Sequence, residues 1–245
     1  MNYQHDRITT MKREVTLEQV EAPNQEETAI LSHYDVQYFN NFQKEIGEFG
    51  GRANKFMFEK HVLPSDTVLD FGCGGGFLLN NLNCSEKIGV ELNPVAREFC
   101  NYEMGIACYE SLKDIANASI DTVISSHCLE HTMNPYGIVT GLYEKLKKGG
   151  RIVIVVPLEN YQYQWIPNDV NNHLYSFSPM NLGNILQAAG FKEIKIEPVF
   201  HKWAPKHKLI DRVFGFKMFH RLSWLYGNIN RSLVQVKGVG IKASH

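Results

Sequence analysis

The chain has 245 residues, 25 Lys and Arg against 26 Asp and Glu, and 44% hydrophobic residues. A balance this close to neutral provides no global basic field, so DNA is not an expected partner. The length is that of one good-sized domain, and no run of about eighteen apolar residues is present to cross a membrane.

Residues 1–28 are polar and charged and are expected to form a flexible N-terminal arm, with a single domain over 29–245. The first of these, Met1 to Gln25, lack the apolar stretch of a signal peptide, which points to a cytoplasmic protein. From Ala29 to His61 apolar residues recur at helical spacing (Tyr34, Tyr38, Phe39, Phe42, then Phe56, Phe58, Val62), interrupted by Gly47, Gly50 and Gly51. Two or three helices ahead of a sheet fit that pattern.

Val68-Leu69-Asp70-Phe71 then reads as a short buried strand that breaks into Gly72-Cys73-Gly74-Gly75-Gly76. Phe77-Leu78-Leu79 follows at once and opens a helix. Glycines permit positive φ and close approach of the main chain to a ligand, and the helix offers unpaired N–H groups. A strand–loop–helix unit of this kind is a nucleotide-type cofactor site. The dinucleotide fingerprint G-x-G-x-x-G is not what stands here. Asp70 lies two residues before the first glycine, where a carboxylate repels a pyrophosphate and suits an ammonium group. Glu91 ends the next apolar run, Ile88-Gly89-Val90, nineteen residues past Gly72. An acid at that strand tip can accept hydrogen bonds from two ribose hydroxyls.

Strand and helix then alternate, which implies parallel β-α-β units. Asn93-Pro94 starts a helix to Glu103, and Ile106–Tyr109 forms the third strand. Ile120–Ser126 is the fourth, and a helix over Pro135–Leu146 stops at Lys148-Gly149-Gly150. Arg151–Val156 is the fifth strand, halted by Pro157. Ser178-Pro179 caps a helix to Ala189, with Gly190 as its left-handed end. Phe191–Val199 and Leu233–Ile241 are the last strands. The expected architecture is α/β, a doubly wound, seven-stranded, mostly parallel sheet with N-terminal helices and a helical insertion at 201–231 between the last two strands. Five cysteines (Cys73, Cys84, Cys100, Cys108, Cys128) lack C-x-x-C spacing, so neither a disulfide framework nor a metal site is expected, and the pattern fits a reducing compartment.

The D-x-G-x-G-x-G loop resembles that of the class I S-adenosylmethionine-dependent methyltransferases. The resemblance runs from about Gly51 to Phe200, includes Asp121–His131 and Leu146–Arg151, and is closest to the small-molecule, quinone-biosynthesis-like branch. It implies S-adenosylmethionine as cofactor, the loop holding its methionine end and Glu91 its ribose. Asp70, Gly72, Cys73, Gly74, Gly76, Glu91, Leu92, Ser111, Leu112, Ser126 and His127 are the implied cofactor-binding residues. In such enzymes a leading helical segment often closes over the cofactor, which makes Tyr34 and Tyr38 candidates to contact it.

In an open α/β sheet the reacting centre lies beyond the carboxyl ends of the strands. After strand four come His127, Glu130 and His131, and after strand five a polar-aromatic loop, Glu159 to Tyr175. His131 and His173 match histidines of related sequences and are the candidate bases, with near-neutral titration suited to proton abstraction. Glu130 is expected to order its loop. Tyr161, Tyr163 and Trp165 can stack on a ring. From His201 to the C-terminus nine Lys and Arg face one acid, Asp211, among many apolar residues. Such a segment can rest on an anionic membrane surface, bind a phosphorylated or lipid-linked acceptor, or form a dimer face. The reading is O-methylation of a small or carrier-linked acceptor such as a glycan precursor. A quinone or other lipid acceptor comes second and an RNA base third. A non-catalytic cofactor-binding partner subunit and a nicotinamide oxidoreductase are the rivals, and Asp70 argues against the latter.

Overall fold

The computed structural model describes residues 39, 43–159, 164–167, 169, 171–231 and 234–244. Its strands are β1 (Thr67–Phe71), β2 (Glu86–Val90), β3 (Ala107–Tyr109), β4 (Ile120–Ser126), β5 (Leu146–Leu158), β6 (Lys192–Val199) and β7 (Val234–Ile241). They form one sheet in the order β3-β2-β1-β4-β5-β7-β6. The first five run parallel, and β7 lies antiparallel between β5 and β6. The chain direction reverses its progress across the sheet between β1 and β4. Loops diverge at such a point and leave a crevice at the carboxyl ends of the strands.

Alternation of side chains along each strand feeds two cores. Leu69, Val123, Ile152, Ile154 and Val156 face one layer. Val68, Ile124, Val153 and Val155 face the other. On the first side pack α4 (Pro135–Lys145) and α5 (Pro179–Ala188), through Val139, Leu142, Leu182 and Leu186. The second side holds Leu78 and Leu79 of α2 (Phe77–Asn80) and Cys100 of α3 (Pro94–Tyr102). Burial on both faces is what makes these strands nearly continuous apolar runs.

Local chemistry sets several boundaries. The Asn93 side chain accepts hydrogen bonds from Val95 and Ala96 N–H with Pro94 first in the helix. Ser178 and Asn181 form a reciprocal capping box ahead of α5. Two elements depart from expectation. Strand β5 begins at Leu146 and runs through Pro157, which sits opposite Gln235 of β7. The last bond on the β4 side runs from His127 N–H to the Val155 carbonyl, so Pro157 lies at the end of that ladder and β5 continues past it by pairing with β7. The helix after the glycine loop has only four residues.

Ahead of the sheet, α1 (Lys44–Asn54) leads into two short 3-10 turns, Lys55–Met57 and Glu59–His61. Between β6 and β7 lies α6 (His207–Ile229), which bends at Gly215, where φ is 76° and ψ 170°. Phe49 and Ala53 of α1 meet Phe219 of α6 in a separate apolar cluster beside Trp203 and Phe216. Ion pairs Arg52–Asp211 and Lys208–Glu45 close its edges. The insertion thus rests on α1. The expectations for the N-terminal arm and for Tyr34, Tyr38, Phe42, Tyr161 and Tyr163 lie outside the described residues. Among the described residues no helix is long and apolar enough to cross a membrane.

Candidate active site

The glycine loop is fixed from below by β2: Gly72 and Cys73 N–H both donate to the Val90 carbonyl, at 2.8 and 3.2 Å. Gly72 and Gly74 have φ of 74° and 52°. A Cβ at Gly72 would lie 2.2 Å from Cys128 Sγ, and one at Gly74 2.8 Å from Gln43 Nε2. A side chain at Gly72 collides with Cys128, and one at Gly74 takes a strained left-handed backbone and displaces the Gln43 amide. Glu91 spans the loop and the next helix: its Oε2 accepts from Gly74 N–H and its Oε1 from Asn93 N–H, each at 2.8 Å. Burial raises the Glu91 carboxyl above its ordinary value against the pull of those two N–H groups.

Asp70 stands at the carboxyl end of β1, 2% exposed, and its Oδ1 has no hydrogen-bond partner among the described residues. Burial, with smaller contributions from Cys108 and Glu91, pushes its carboxyl up to about 8. Gln43 Oε1 is likewise buried and without a partner among the described residues. Both residues line a cavity of about 310 Å³ that also touches Gly72, Cys73, Gly74, Ser126, His127 and Trp203. Two buried acceptor oxygens that the described residues leave short of donors, in a cavity whose described lining holds one carboxylate and no Lys or Arg, are complementary to a ligand with a positive charge and N–H donors. The ammonium end of S-adenosylmethionine has that chemistry, so the residues fit the cofactor.

Six of the anticipated cofactor residues therefore share one cavity. Cys73 does so with its thiol turned into the core toward Cys108, so its part there falls to the main chain. Gly76, Glu91, Leu92, Ser111 and Leu112 stand outside the lining. Ser111 caps a 3-10 turn over Leu112–Asp114, and Leu112 packs on the core. They edge the same crevice because β1, β2 and β3 end side by side: Glu91 N–H donates to Tyr109 O at 2.9 Å.

A second cavity, of about 940 Å³, shares Asn54, His127 and Trp203 with the first. His173 lines it, with Nδ1 2.5 Å from Glu159 Oε1, and Ser176 Oγ is 2.5 Å from Glu159 Oε2. Burial opposes ionisation of Glu159, but Ser176 and His173 outweigh it and hold its carboxyl below the ordinary glutamate value. A carboxylate on Nδ1–H orients the ring and leaves Nε2 as the basic nitrogen. His131 does not line this cavity. It packs edge-to-face behind His173, ring centroids 4.9 Å apart and planes at 68°, and burial leads the causes that lower its pKa. Glu130 is fully buried, its side chain 3.5 Å from His127 Nδ1 and 3.8 Å from His131 Nε2. Its carbonyl accepts from Leu174 and Tyr175 N–H, which ties the loop after β5 to the turn after β4. Sequence reasoning missed Gln43, Asn54 and Trp203. Trp203 carries no motif and reaches the site only because the insertion docks on α1.

A methyltransferase-domain family model matches residues 4–196, most of the chain. The chain belongs to that methyltransferase family. By family and fold it is a member of the class I S-adenosylmethionine-dependent methyltransferases, with S-adenosylmethionine as cofactor. The methyltransferase is similar to a ubiquinone biosynthesis O-methyltransferase of Idiomarina loihiensis, 26% identical over 165 residues, 57% of this chain and 68% of that one. It is 30% identical over 112 residues to a ribosomal protein L11 methyltransferase of Cupriavidus taiwanensis, 41% of this chain. The chain spans 35% of that relative's length. In three dimensions it resembles the Haemonchus contortus phosphoethanolamine N-methyltransferase 2 solved with phosphomonomethylethanolamine and S-adenosylhomocysteine. There the TM-score is 0.62 at 15% identity, covering 88% of this chain and 60% of that one. At that identity the likeness is one of fold.

Proposed function

We propose that this methyltransferase O-methylates a hydroxyl of a small or carrier-linked acceptor held in the larger cavity, with His173 as general base. The observation that carries the reading is the His173–Glu159–Ser176 arrangement in the wall of a cavity that meets the smaller one at Asn54, His127 and Trp203. Asp70 and Gln43 accept hydrogen bonds from the cofactor's ammonium group, and Glu91 holds the glycine loop in place for it. S-adenosylmethionine supplies an electrophilic methyl group when bound. Alignment of donor and acceptor is worth roughly 7–11 kcal/mol of such a barrier, and removal of the hydroxyl proton by His173 Nε2 adds typically about 10²–10⁴-fold. Glu159 stabilises the imidazolium that results.

A sugar hydroxyl of a glycan precursor is the first acceptor. Asn171, Asn172, Gln164 and Gln235 line the cavity beside Trp165 and Trp203; amides both donate to and accept from hydroxyls, and indole faces stack on rings. A quinone-type phenol is the second reading, favoured by the likeness to a ubiquinone biosynthesis O-methyltransferase. Methyl transfer from labelled S-adenosylmethionine to matched panels of glycan precursors and phenols tests the two. Turnover on a sugar hydroxyl that His173→Asn reduces supports the first reading. Turnover confined to phenols overturns it in favour of the second, and turnover confined to amines sinks O-methylation.

A further inference from the structure

Beneath the glycine loop the fold gathers three cysteines that are scattered in the sequence. Cys73 comes from the loop, Cys100 from α3 and Cys108 from β3, and all three are buried and free of disulfides. Their sulfurs lie within 4.8 Å of one another, Cys73 Sγ and Cys108 Sγ at 3.4 Å. Two neighbouring glycines make room for sulfur. A Cβ at Gly89 would stand 2.6 Å from Cys73 Sγ and 3.0 Å from Cys108 Sγ, and one at Gly76 would stand 2.7 Å from Cys100 Sγ.

We propose that Cys73, Cys100 and Cys108 form a binding site for a soft d¹⁰ metal cation, the class that includes Cu(I) and Cd(II), held as a three-coordinate thiolate complex. With metal–sulfur bonds of about 2.3 Å, a trigonal site sets its sulfurs roughly 4 Å apart. Cys73 and Cys108, at 3.4 Å, stand about half an ångström inside that value, and no pair lies beyond 4.8 Å, so small shifts bring the ligands onto an ion. Thiolate ligands select soft cations. Among the described residues no imidazole or carboxylate joins the three sulfurs. The set therefore suits an ion satisfied by three sulfurs better than structural zinc, which takes four ligands. Each thiol that becomes a ligand gives its proton to solvent, and no electron transfer is needed. Without the ion the neutral thiols pack as small apolar groups, so the fold does not depend on it. With the ion, the glycine loop is tied to α3 and β3.

The test uses the full chain, fully reduced and free of oxygen, titrated with Cd(II) while sulfur-to-metal charge-transfer absorption is followed, and with Cu(I) against a chromophoric chelator. One equivalent of either ion should saturate the signal and raise the melting temperature. Cys100→Ser and Cys108→Ala should each weaken binding at least 100-fold while circular dichroism stays native, and Cys84→Ser should change nothing. Two folded variants guard against the failure of one to fold. Absence of a one-equivalent endpoint with both ions, or equal binding by wild type and either cluster variant, overturns the site. So does a loss in Cys84→Ser as large as in the cluster variants.

Discussion

Asp70 is buried beside a second acid, with one oxygen lacking a partner among the described residues, and its protonation follows from that placement. Its carboxyl lies at about 8 in the folded chain against an ordinary 3.8. The folded state therefore keeps a proton that the unfolded chain releases, and this contribution to stability is full below about pH 4 and lost as pH rises through about 8. Asp70→Asn, which cannot ionise, should raise the melting temperature of the ligand-free protein more at pH 9 than at pH 6. Equal shifts at the two pH values would contradict the placement. A cationic ligand reverses the balance by favouring the carboxylate. Binding of S-adenosylhomocysteine at pH 7 should thus release a proton, seen as a binding heat that varies with the ionisation enthalpy of the buffer. Affinity should rise as pH approaches 8. In the second cavity, His173→Asn and Glu159→Gln should each lower kcat about 10²–10⁴-fold with little change in cofactor affinity. The sequence named Asp70 because an acid at a strand end before a glycine loop announces itself, and His173 through its match to a histidine of related sequences. It ranked His131 equally, since nothing in the order of residues tells that its ring packs edge-to-face behind His173 rather than lining the cavity.

At the scale of elements, α1 joins the cofactor loop to the insertion, and its glycines are where that depends on sterics. A Cβ at Gly51 would lie 2.5 Å from the Phe77 carbonyl oxygen, whereas one at Gly50 meets only the Trp203 ring at 3.4 Å. Gly51→Ala should cost about 1–3 kcal/mol by overpacking, more than the roughly 1 kcal/mol of helix propensity it gains. Gly50→Ala should be close to neutral, and urea unfolding of the pair reads the difference. Phe219, fully buried against Phe49, should cost about 3–5 kcal/mol on truncation to alanine. Helix starts were legible at Asn93-Pro94 and Ser178-Pro179, where a polar cap and a proline act within four residues. The end of β5 was not: whether a proline breaks a strand depends on which neighbour needs its N–H, and that is set by where β4 stops. The bend at Gly215 escaped for a similar reason, since a glycine within a helical run marks a kink only when packing on both sides pulls the halves apart.

For the whole molecule, the strand–helix alternation and the order of the glycine loop fixed the class of fold, while the reversed β7 came with the connection through α6. Composition separated the basic, aromatic insertion from the rest, but its docking on α1, which brings Trp203 between two cavities, is a long-range contact without local signal. The convergence of Cys73, Cys100 and Cys108 is of the same kind, since spacing along the chain says nothing of proximity between the glycine loop, α3 and β3. Trp203→Ala should therefore disturb both sites, weakening S-adenosylhomocysteine binding and raising KM for the acceptor together; a change in one alone would mean the cavities act independently. The central claim is a cationic-cofactor site built on Asp70. Calorimetric titration of wild type and Asp70→Ala with S-adenosylhomocysteine tests it most directly. The account predicts one-to-one binding by the wild type, weakened about 10–100-fold in the variant through loss of a charge-assisted hydrogen bond. Failure of the folded wild type to bind, or equal binding by the two, would contradict it.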